Sequence, residues 1–117
     1  MRSDRDLYSG MVRLHILHHA SQGPVFGLGI IEELRRHGYV VSAGTVYPML
    51  HGLQRKRYLS SRTVRSGRTA RRLYRITGAG RIALTLARRR VRELFGELIE
   101  GSDGSNTRPR RKRGERQ

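Results

Sequence analysis

The sequence predicts a mainly α-helical fold with one small β-hairpin, which places it in the α+β class. Four stretches carry apolar residues at every third or fourth position, a spacing typical of amphipathic helices. Between the third and fourth stretches, two runs with strand character flank Ser66-Gly67-Arg68-Thr69, a segment typical of a turn. At 117 residues, the chain has room for one domain with a modest core.

The first two predicted helices span residues 7–20 and 28–37. The first ends because Gly23-Pro24 cannot continue a helix, and the second ends at Gly38, a natural C-cap. Their expected core residues are Leu7, Met11, Leu14, Ile16 and Leu17 in the first helix, and Leu28, Ile30, Ile31 and Leu34 in the second.

The third predicted helix spans residues 42–58 and has two unlike faces. One is an apolar stripe with a cation at its end, formed by Val46, Met49, Leu50, Leu53 and Arg57. The opposite face carries Gly44, Pro48, His51, Gly52 and Arg55. Because this second face has little bulk at its start, positive charge at its end and no carboxylate, it suits contact with a polyanion.

The first residue of this helix is left undecided by Pro48, because proline lacks an N–H and is costly inside a helix. If Thr45 is the N-cap, Pro48 is the third helical residue and costs little. If the helix begins at Ser42, Pro48 must kink it.

The predicted hairpin has strands at 58–65 and 70–76 and no acidic residue between Leu59 and Ile76. It carries six arginines, which are Arg62, Arg65, Arg68, Arg71, Arg72 and Arg75. A last helix, from residue 79 to about residue 100, follows Thr77 as its N-cap.

The last helix has an apolar seam at heptad spacing. The seam consists of Leu84, Ala87, Val91, Leu94 and Leu98, and it is widened by Leu86, Phe95 and Ile99. A lone helix at the end of a small domain cannot cover this much apolar surface. We therefore expect a dimer, with Leu84, Ala87, Val91, Leu94, Phe95 and Leu98 at the interface.

The chain is strongly basic, with 25 Lys and Arg against 9 Asp and Glu and a formal net charge of +16. A polyanionic partner is expected, with nucleic acid as the first candidate and an anionic membrane surface as the second. The absence of cysteine excludes disulfides and thiolate metal sites. No apolar run approaches the ~18 residues that span a bilayer, so we expect a cytoplasmic, nucleoid-associated protein. Residues 101–117 are expected to form a disordered basic tail.

Three helices followed by a charged hairpin is the order of the winged helix-turn-helix, which indicates double-stranded DNA as the partner. The expected DNA contacts are Ser42, Thr45, Tyr47, Pro48, His51, Arg55, Lys56, Arg68, Thr69, Arg71 and Arg72. Tyr47 belongs either to this surface or to the core.

Other kinds of site have weaker support in the sequence. His15, His18 and His19 have a helical spacing that could hold a metal ion, with His37 or His51 as a fourth ligand, but we expect no metal and no cofactor. No nucleophile–base arrangement, Walker-type loop or paired carboxylates stand out, so we do not expect an enzyme.

Several motifs resemble the PadR family of transcriptional regulators over roughly residues 8 to 100. They are Gly23-Pro24 with Gly27, the block Ser42-Ala43-Gly44-Thr45-Val46-Tyr47-Pro48-Met49-Leu50, Gly67-Arg68, Arg72-Leu73-Tyr74-Arg75-Ile76-Thr77 and Ala79-Gly80. Departures are Phe26 and Leu28 on either side of Gly27, Ala43 in place of proline, and Gly78 in place of an acidic residue.

The resemblance implies a homodimer, a recognition helix at 42–58, a wing at about 60–76 and a single C-terminal dimerisation helix. It also implies control by a small aromatic effector molecule. The corresponding domain division is 1–78 for the winged helix-turn-helix, 79–100 for the dimerisation helix and 101–117 for the tail. We expect a dimeric, sequence-specific transcriptional regulator, with repression favoured. The alternatives are a basic winged-helix protein that binds RNA or the ribosome, and a non-specific architectural DNA binder.

Overall fold

The computed structural model describes residues 4–102, which form four helices and one three-stranded antiparallel sheet. The helices are α1 (Asp4–Gln22), α2 (Gly27–Arg36), α3 (Ala43–Arg55) and α4 (Gly78–Ser102). The strands are β1 (Val25–Phe26), β2 (Leu59–Ser66) and β3 (Thr69–Ile76). This confirms the predicted α+β class and all four predicted helices. Most of the predicted basic tail, residues 103–117, lies outside the described residues.

The described chain divides into two units, and the division falls after Thr85, inside α4. The first unit contains the sheet, α1 to α3 and the first two turns of α4. The second unit begins at Leu86 and contains the remainder of α4. None of the helices within residues 4–102 is long and apolar enough to cross a membrane.

The sheet has the order β1-β3-β2, so β3 is its central strand. The predicted hairpin is confirmed, with Leu59 opposite Ile76 at its base and Ser66 opposite Thr69 at its tip. β1 was not predicted, because two residues carry no detectable period. Val25 pairs with Tyr74, and Phe26 pairs with Leu73, so the segment after Pro24 becomes an edge strand.

The core of the first unit is built from α1, α2, α3, β2, β3 and the start of α4. Its buried members are Val12, Ile16, Leu17, Ala20, Ile30, Ile31, Leu34, Val46, Met49, Leu50, Leu53, Leu59, Tyr74 and Leu84. The predicted burial of Val46, Met49, Leu50 and Leu53 in α3 is confirmed. Leu28 was wrongly expected to support the core, because α2 turns Gly27, Ile30, Ile31 and Leu34 inward and leaves Leu28 exposed.

The predicted core face of α1 is partly wrong. Ile16 and Leu17 are buried, but Leu7 is 72% exposed, Met11 is 48% exposed and Leu14 is only half-buried. Val12 and Ala20 are buried instead. At about 100° per residue, Leu7, Met11 and Leu14 lie on the far side of the helix from Val12, Ile16 and Ala20. The helix therefore has a second apolar line, which the first unit does not cover.

The start of α3 rules out Thr45 as its N-cap. Ser42 is the N-cap residue in an extended conformation, so Pro48 is the sixth residue of a helix that continues to Arg55. The missing N–H of Pro48 would otherwise bond to the carbonyl of Gly44, which is left without that intrahelical donor. Gly44 and Pro48 are both exposed, so water can solvate that carbonyl.

The sequence placed Arg57 at the end of the apolar stripe of α3. In the structure the helix ends at Arg55, so Arg57 does not belong to that stripe. Its φ of 67° is left-handed. The N–H of Arg57 donates to the carbonyl of Gln54 at 2.8 Å, and the N–H of Tyr58 donates to the carbonyl of Leu53 at 3.0 Å. This is a Schellman cap with arginine where glycine is usual. The same pair of bonds ends α2, where Gly38 has a φ of 90°.

Thr77 connects the end of α3 to the start of α4. Its hydroxyl donates to the carbonyl of Arg57 at 2.6 Å and accepts the N–H of Gly80 at 2.9 Å, which confirms it as the N-cap. Its own N–H donates to the carbonyl of Tyr58 at 3.0 Å. Gly80 is buried against this contact, because a Cβ there would lie 2.8 Å from Ile76 Cγ1 and would overlap the carbonyl of Tyr58.

We predict that Thr77→Val lowers the free energy of unfolding by about 1–2 kcal/mol, because it removes a helix cap and leaves the carbonyl of Arg57 without its donor. Thr77→Ser keeps the hydroxyl and should recover most of the loss. Urea unfolding followed by circular dichroism measures both. A loss for Ser as large as that for Val would show that the methyl group matters as much as the hydroxyl, and a loss for Ser alone would contradict the capping role.

Candidate nucleic-acid interface

The outer face of α3 is exposed and carries no carboxylate. Ser42, Gly44, Pro48, His51 and Arg55 are all exposed along it, as the sequence predicted. Beyond the helix itself, no aspartate or glutamate occurs between Glu33 and Glu93. A surface built from this part of the chain attracts phosphate and has no like charge with which to repel it.

The start of α3 places two hydroxyls at this surface. Ser42 Oγ and Thr45 Oγ1 are 3.5 Å apart, and Ser42 makes no side-chain capping bond. At that separation the two hydroxyls bind each other weakly, so both keep most of their capacity for another partner.

Tyr47 faces the core more than the sequence indicated. It is half-buried and packs against the core cluster. A Cβ at Gly27 would lie 2.5 Å from two carbons of the Tyr47 ring and 2.6 Å from its hydroxyl oxygen. Gly27 is therefore required by close packing rather than by its φ. The structure combines the two interpretations of Tyr47, because the ring supports α2 while part of the side chain stays accessible.

A hydrogen-bonded bridge joins α3 to the hairpin. Arg72 Nη1 donates to Ser61 Oγ at 2.9 Å, and Ser61 Oγ donates to Gln54 Oε1 at 2.9 Å. Next to this bridge lies an open cavity of about 410 Å³, lined by His51, Gln54, Arg55 and Arg72. The cavity brings together three of the predicted contact residues, which come from two different elements.

Gln54 and Ser61 were missed by sequence reasoning. A signal for Ser61 was present, because alternation along a strand puts Ser61 on the same face as the buried Leu59, the face towards α3. The position of Gln54 could not be inferred in the same way, since it depends on where the hairpin packs.

The strand register divides the hairpin arginines between two faces. Arg65 and Arg72 lie on the face that also carries Ser61 and Tyr74. The remaining strand arginines, Arg62, Arg71 and Arg75, lie on the other face. The predicted contacts Arg71 and Arg72 therefore point in opposite directions.

Arg71 has a specific neighbour on its own face. Its guanidinium carbon lies 4.3 Å from the centroid of the Phe26 ring, a cation–π contact that holds β1 against the hairpin. This contact gives Arg71 a structural role on the face away from Ser61, whereas Arg72 bonds to Ser61 on the face beside α3.

Each arginine on the strands is paired with a neutral residue. The pairs are Arg62 with Leu73, Arg65 with Ala70, Arg71 with Val64, Arg72 with Thr63 and Arg75 with Ser60. The sixth arginine, Arg68, lies in the two-residue turn after Gly67, whose φ is 63°. Arg68 and Thr69 are both exposed at the tip.

The predicted dimerisation residues separate into two groups. Leu84 is only 4% exposed and belongs to the core of the first unit, so it is not available to a partner. Ala87 and Val91 are half-buried. Within the second unit, Leu94 is 65% exposed, Leu98 is 69% exposed and Phe95 is 55% exposed.

Histidines gather at a second place in the first unit, where α1 meets the end of α2. The ring centroid of His15 lies 5.3 Å from that of His19 and 4.9 Å from that of His37. Glu33 Oε2 lies 3.2 Å from His19 Nε2 and 3.1 Å from His37 Nε2. His51 lies elsewhere, in the cavity beside Arg72.

The charges in this histidine cluster are shifted by their neighbours. A hydrogen bond from Arg36 is the main cause that lowers the pKa of Glu33 to about 2, so Glu33 is a carboxylate at neutral pH. Burial, reinforced by the neighbouring imidazoles, lowers the pKa of His15. That shift favours the neutral form of its ring.

The chain is similar to known regulators over most of its length. A family model described as the transcriptional regulator PadR-like family matches residues 16–86. Transcriptional regulator Rv3488 of Mycobacterium tuberculosis (strain ATCC 25618 / H37Rv) is 51% identical over 98 residues, which are 83% of this chain and 91% of that protein.

Solved structures show the same fold. A PadR family transcriptional regulator from Eggerthella lenta DSM 2243 superposes with a TM-score of 0.70 at 25% identity, covering 90% of this chain and 92% of that one. A PadR-like regulator from Bacillus cereus strain ATCC 14579 gives a TM-score of 0.74 at 23% identity, covering 87% and 99%. The second likeness supports the winged helix-turn-helix fold alone.

Proposed function

The chain belongs to the PadR-like family of transcriptional regulators, and from this membership we propose that it is a dimeric repressor with α3 as its recognition helix. The family is one of DNA-binding regulators and not of enzymes. We further propose that it is a dimer that binds a specific operator. In this proposal α3 contacts base edges, and the β2–β3 hairpin, which we call the wing, contacts phosphates.

The observation that carries the proposal is the bridge between α3 and the wing. Because Gln54, Ser61 and Arg72 hold the wing beside the exposed face of α3, one duplex can contact both. Thr45 and His51 are suited to base edges in the major groove, since hydroxyls and imidazoles can donate and accept hydrogen bonds. Arg55, Lys56, Arg68 and Arg72 are suited to phosphates on either side.

The exposed apolar residues support a second copy of the chain as the partner. In the second unit, burial of Leu94 and Leu98 would gain about 1.5–3 kcal/mol for each side chain. The second apolar line of α1, with Leu7 and Met11, adds exposed surface in the first unit. A two-fold dimer would place its recognition helices in successive major grooves, about 34 Å apart, on a pseudo-palindromic site.

The remaining parts of the proposal follow from the family. Repression is favoured because a dimer on a promoter excludes other proteins from the same DNA without needing a further contact. A small aromatic effector and a separate dimerisation segment at 79–100 are part of the proposal.

Arg71 is removed from the set of DNA contacts, because it lies over Phe26 on the other face of the sheet.

A selection experiment tests the proposed specificity. Genomic and random DNA fragments are bound at ~0.2 M salt, where the phosphate contribution to affinity is strongly reduced. We expect enrichment of one pseudo-palindromic site from the genomic pool, and Thr45→Ala or His51→Ala should change which bases are preferred. Equal affinity for all fragments would favour the architectural alternative. Tighter binding to RNA than to duplex DNA would favour the RNA-binding alternative.

The proposed interface predicts the oligomeric state of variants. Replacing both Leu94 and Leu98 with Glu should produce monomers, because it puts two carboxylates into a buried apolar contact. Arg89→Glu is a matched control, since it changes the charge by the same amount on the opposite side of α4. Sedimentation velocity at several protein concentrations distinguishes the two. An unchanged sedimentation coefficient for the double variant would place the interface elsewhere.

The two faces of the wing predict different effects on DNA binding. Arg68→Ala and Arg72→Ala should each lower the slope of log affinity against log salt by about 0.9, the value for one lost phosphate contact. Arg71→Ala removes the same charge from the other face and should leave the slope closer to that of the parent protein. Titrations of a fixed duplex at four salt concentrations measure the slopes. Equal reductions for Arg71→Ala and Arg72→Ala would mean that DNA does not distinguish the two faces.

A further inference from the structure

The histidine cluster brings together side chains from two helices. His15 and His19 lie on α1, Glu33 lies on α2 and His37 is the C-cap residue of α2. One donor atom from each of His15, Glu33 and His37 lies within 4.8 Å of the others. By sequence alone, His15, His18 and His19 could hold a metal ion with His37 as one possible fourth ligand, although we expected none. The structure adds Glu33, which comes from α2.

We propose that this cluster binds one divalent transition-metal cation, with Zn²⁺ as the best fit. The ligands would be an imidazole nitrogen from each of His15 and His37 and Oε2 of Glu33, with an imidazole nitrogen of His19 in the fourth position. Metal binding in itself does not depend on the proposed DNA-binding function. Any effect of the metal on operator binding does.

The first support is a buried nitrogen that lacks a partner. His15 Nε2 is buried and accepts or donates no hydrogen bond among the described residues. His19 Nε2 is buried too, and although it lies 3.2 Å from Glu33 Oε2, the pair lacks hydrogen-bond geometry. Buried polar atoms without partners are costly, and a missing ion is one of the ordinary explanations for them.

The second support is the spacing of the donor atoms. Zn–N bonds of ~2.0–2.1 Å in a tetrahedron place neighbouring ligand atoms roughly 3.3 Å apart. Glu33 Oε2 is already 3.1 Å from His37 Nε2 and 3.2 Å from His19 Nε2. The widest separation among the donors of His15, Glu33 and His37, at most 4.8 Å, must shorten by about 1.5 Å. Because Glu33 and His37 are already close, this shortening concerns the donor of His15, and side-chain rotation would have to supply it.

The third support is the orientation of the carboxylate. Arg36 donates a hydrogen bond to Glu33 Oε1, which fixes the group and leaves Oε2 directed towards the imidazoles. Hydrogen bonds of this kind commonly orient the ligands of a metal ion. Three imidazoles and one carboxylate form a donor set that suits Zn²⁺ and the neighbouring late first-row ions.

The position of the site connects it to α3. A metal held by His15 and His37 would join α1 to the end of α2, and only four residues, Gly38–Val41, separate His37 from Ser42 at the start of α3. The competing explanation is a histidine–carboxylate network in which a protonated imidazole pairs with Glu33 and no metal binds.

Isothermal titration of the untagged full chain with ZnCl₂ tests the proposal, and visible absorption after loading with Co²⁺ reports the coordination geometry. We expect one high-affinity site per chain and tetrahedral Co²⁺ bands. His15→Gln and His37→Gln should each weaken binding by about tenfold or more, an effect at least as large as the loss of an outer-shell partner. His51→Gln is the matched control, because it removes an imidazole from the cavity beside the wing and should bind like the parent.

The outcomes separate clearly. Circular dichroism shows whether each variant folds. If His15→Gln does not fold, His37→Gln still tests the proposal, because His37 is exposed and its substitution should not disturb the core. Absence of binding, or binding that survives both substitutions, would overturn the proposal and leave the histidine–carboxylate network. Equal weakening by His51→Gln would also overturn it, since it would indicate general surface binding to imidazoles. Operator affinity with and without Zn²⁺ is measured separately, so that failure of the DNA-binding proposal does not affect this result.

Discussion

The hydroxyl of Thr77 is the contact on which the position of the wing depends. It donates to the carbonyl of Arg57, just after α3, and accepts the N–H of Gly80 in the first turn of α4, so both ends of the intervening hairpin are fixed at one point. Leu59 and Ile76, the first pair of the hairpin, directly adjoin that point. The left-handed backbone at Arg57 and the missing side chain at Gly80 make the approach possible. A regulator that must present a helix and a hairpin to one duplex needs such a rigid connection between them.

A second connection acts farther along the hairpin, where Arg72, Ser61 and Gln54 form a chain of hydrogen bonds. Together the two connections separate the functions of the arginines. Arg72, on the face of Ser61, lies beside the exposed surface of α3, while Arg71 supports the edge strand through the Phe26 ring. Sequence position alone does not distinguish Arg71 from Arg72, because adjacent residues of a strand point to opposite faces.

The sequence predicted the elements well and their contacts less well. The four helices, the hairpin, the cap at Thr77 and the buried stripe of α3 all follow from local rules of period and capping. The buried face of α1 does not follow from local rules. Its apolar residues lie on two sides of the helix, and their spacing does not indicate which side packs against the core. The edge strand β1, the bridge at Gln54 and the meeting of His15 with Glu33 are long-range contacts, for which a single sequence holds no local signal. Leu84 was assigned to the dimerisation seam of α4 but lies in the core of the first unit. Residues that face the core and residues that face a partner recur at the same helical spacing, so spacing alone does not distinguish them.

The pairing of every strand arginine with a neutral residue also affects how faithfully the hairpin forms. A slip of one residue would put Leu59 and Tyr74, which are both buried, on opposite faces of the hairpin, so one of them would turn to the solvent and hydrophobicity opposes the slip. A slip of two residues would keep the faces correct, and the repulsion between arginines is one interaction that opposes it. In one direction it would set Arg62 against Arg75 and Arg65 against Arg72, and in the other it would set Arg62 against Arg71. Like charges directly opposite each other destabilise a sheet by about 0.2–1 kcal/mol per pair. The same arginines that prepare the wing for phosphate thus also discriminate against its misaligned forms during folding.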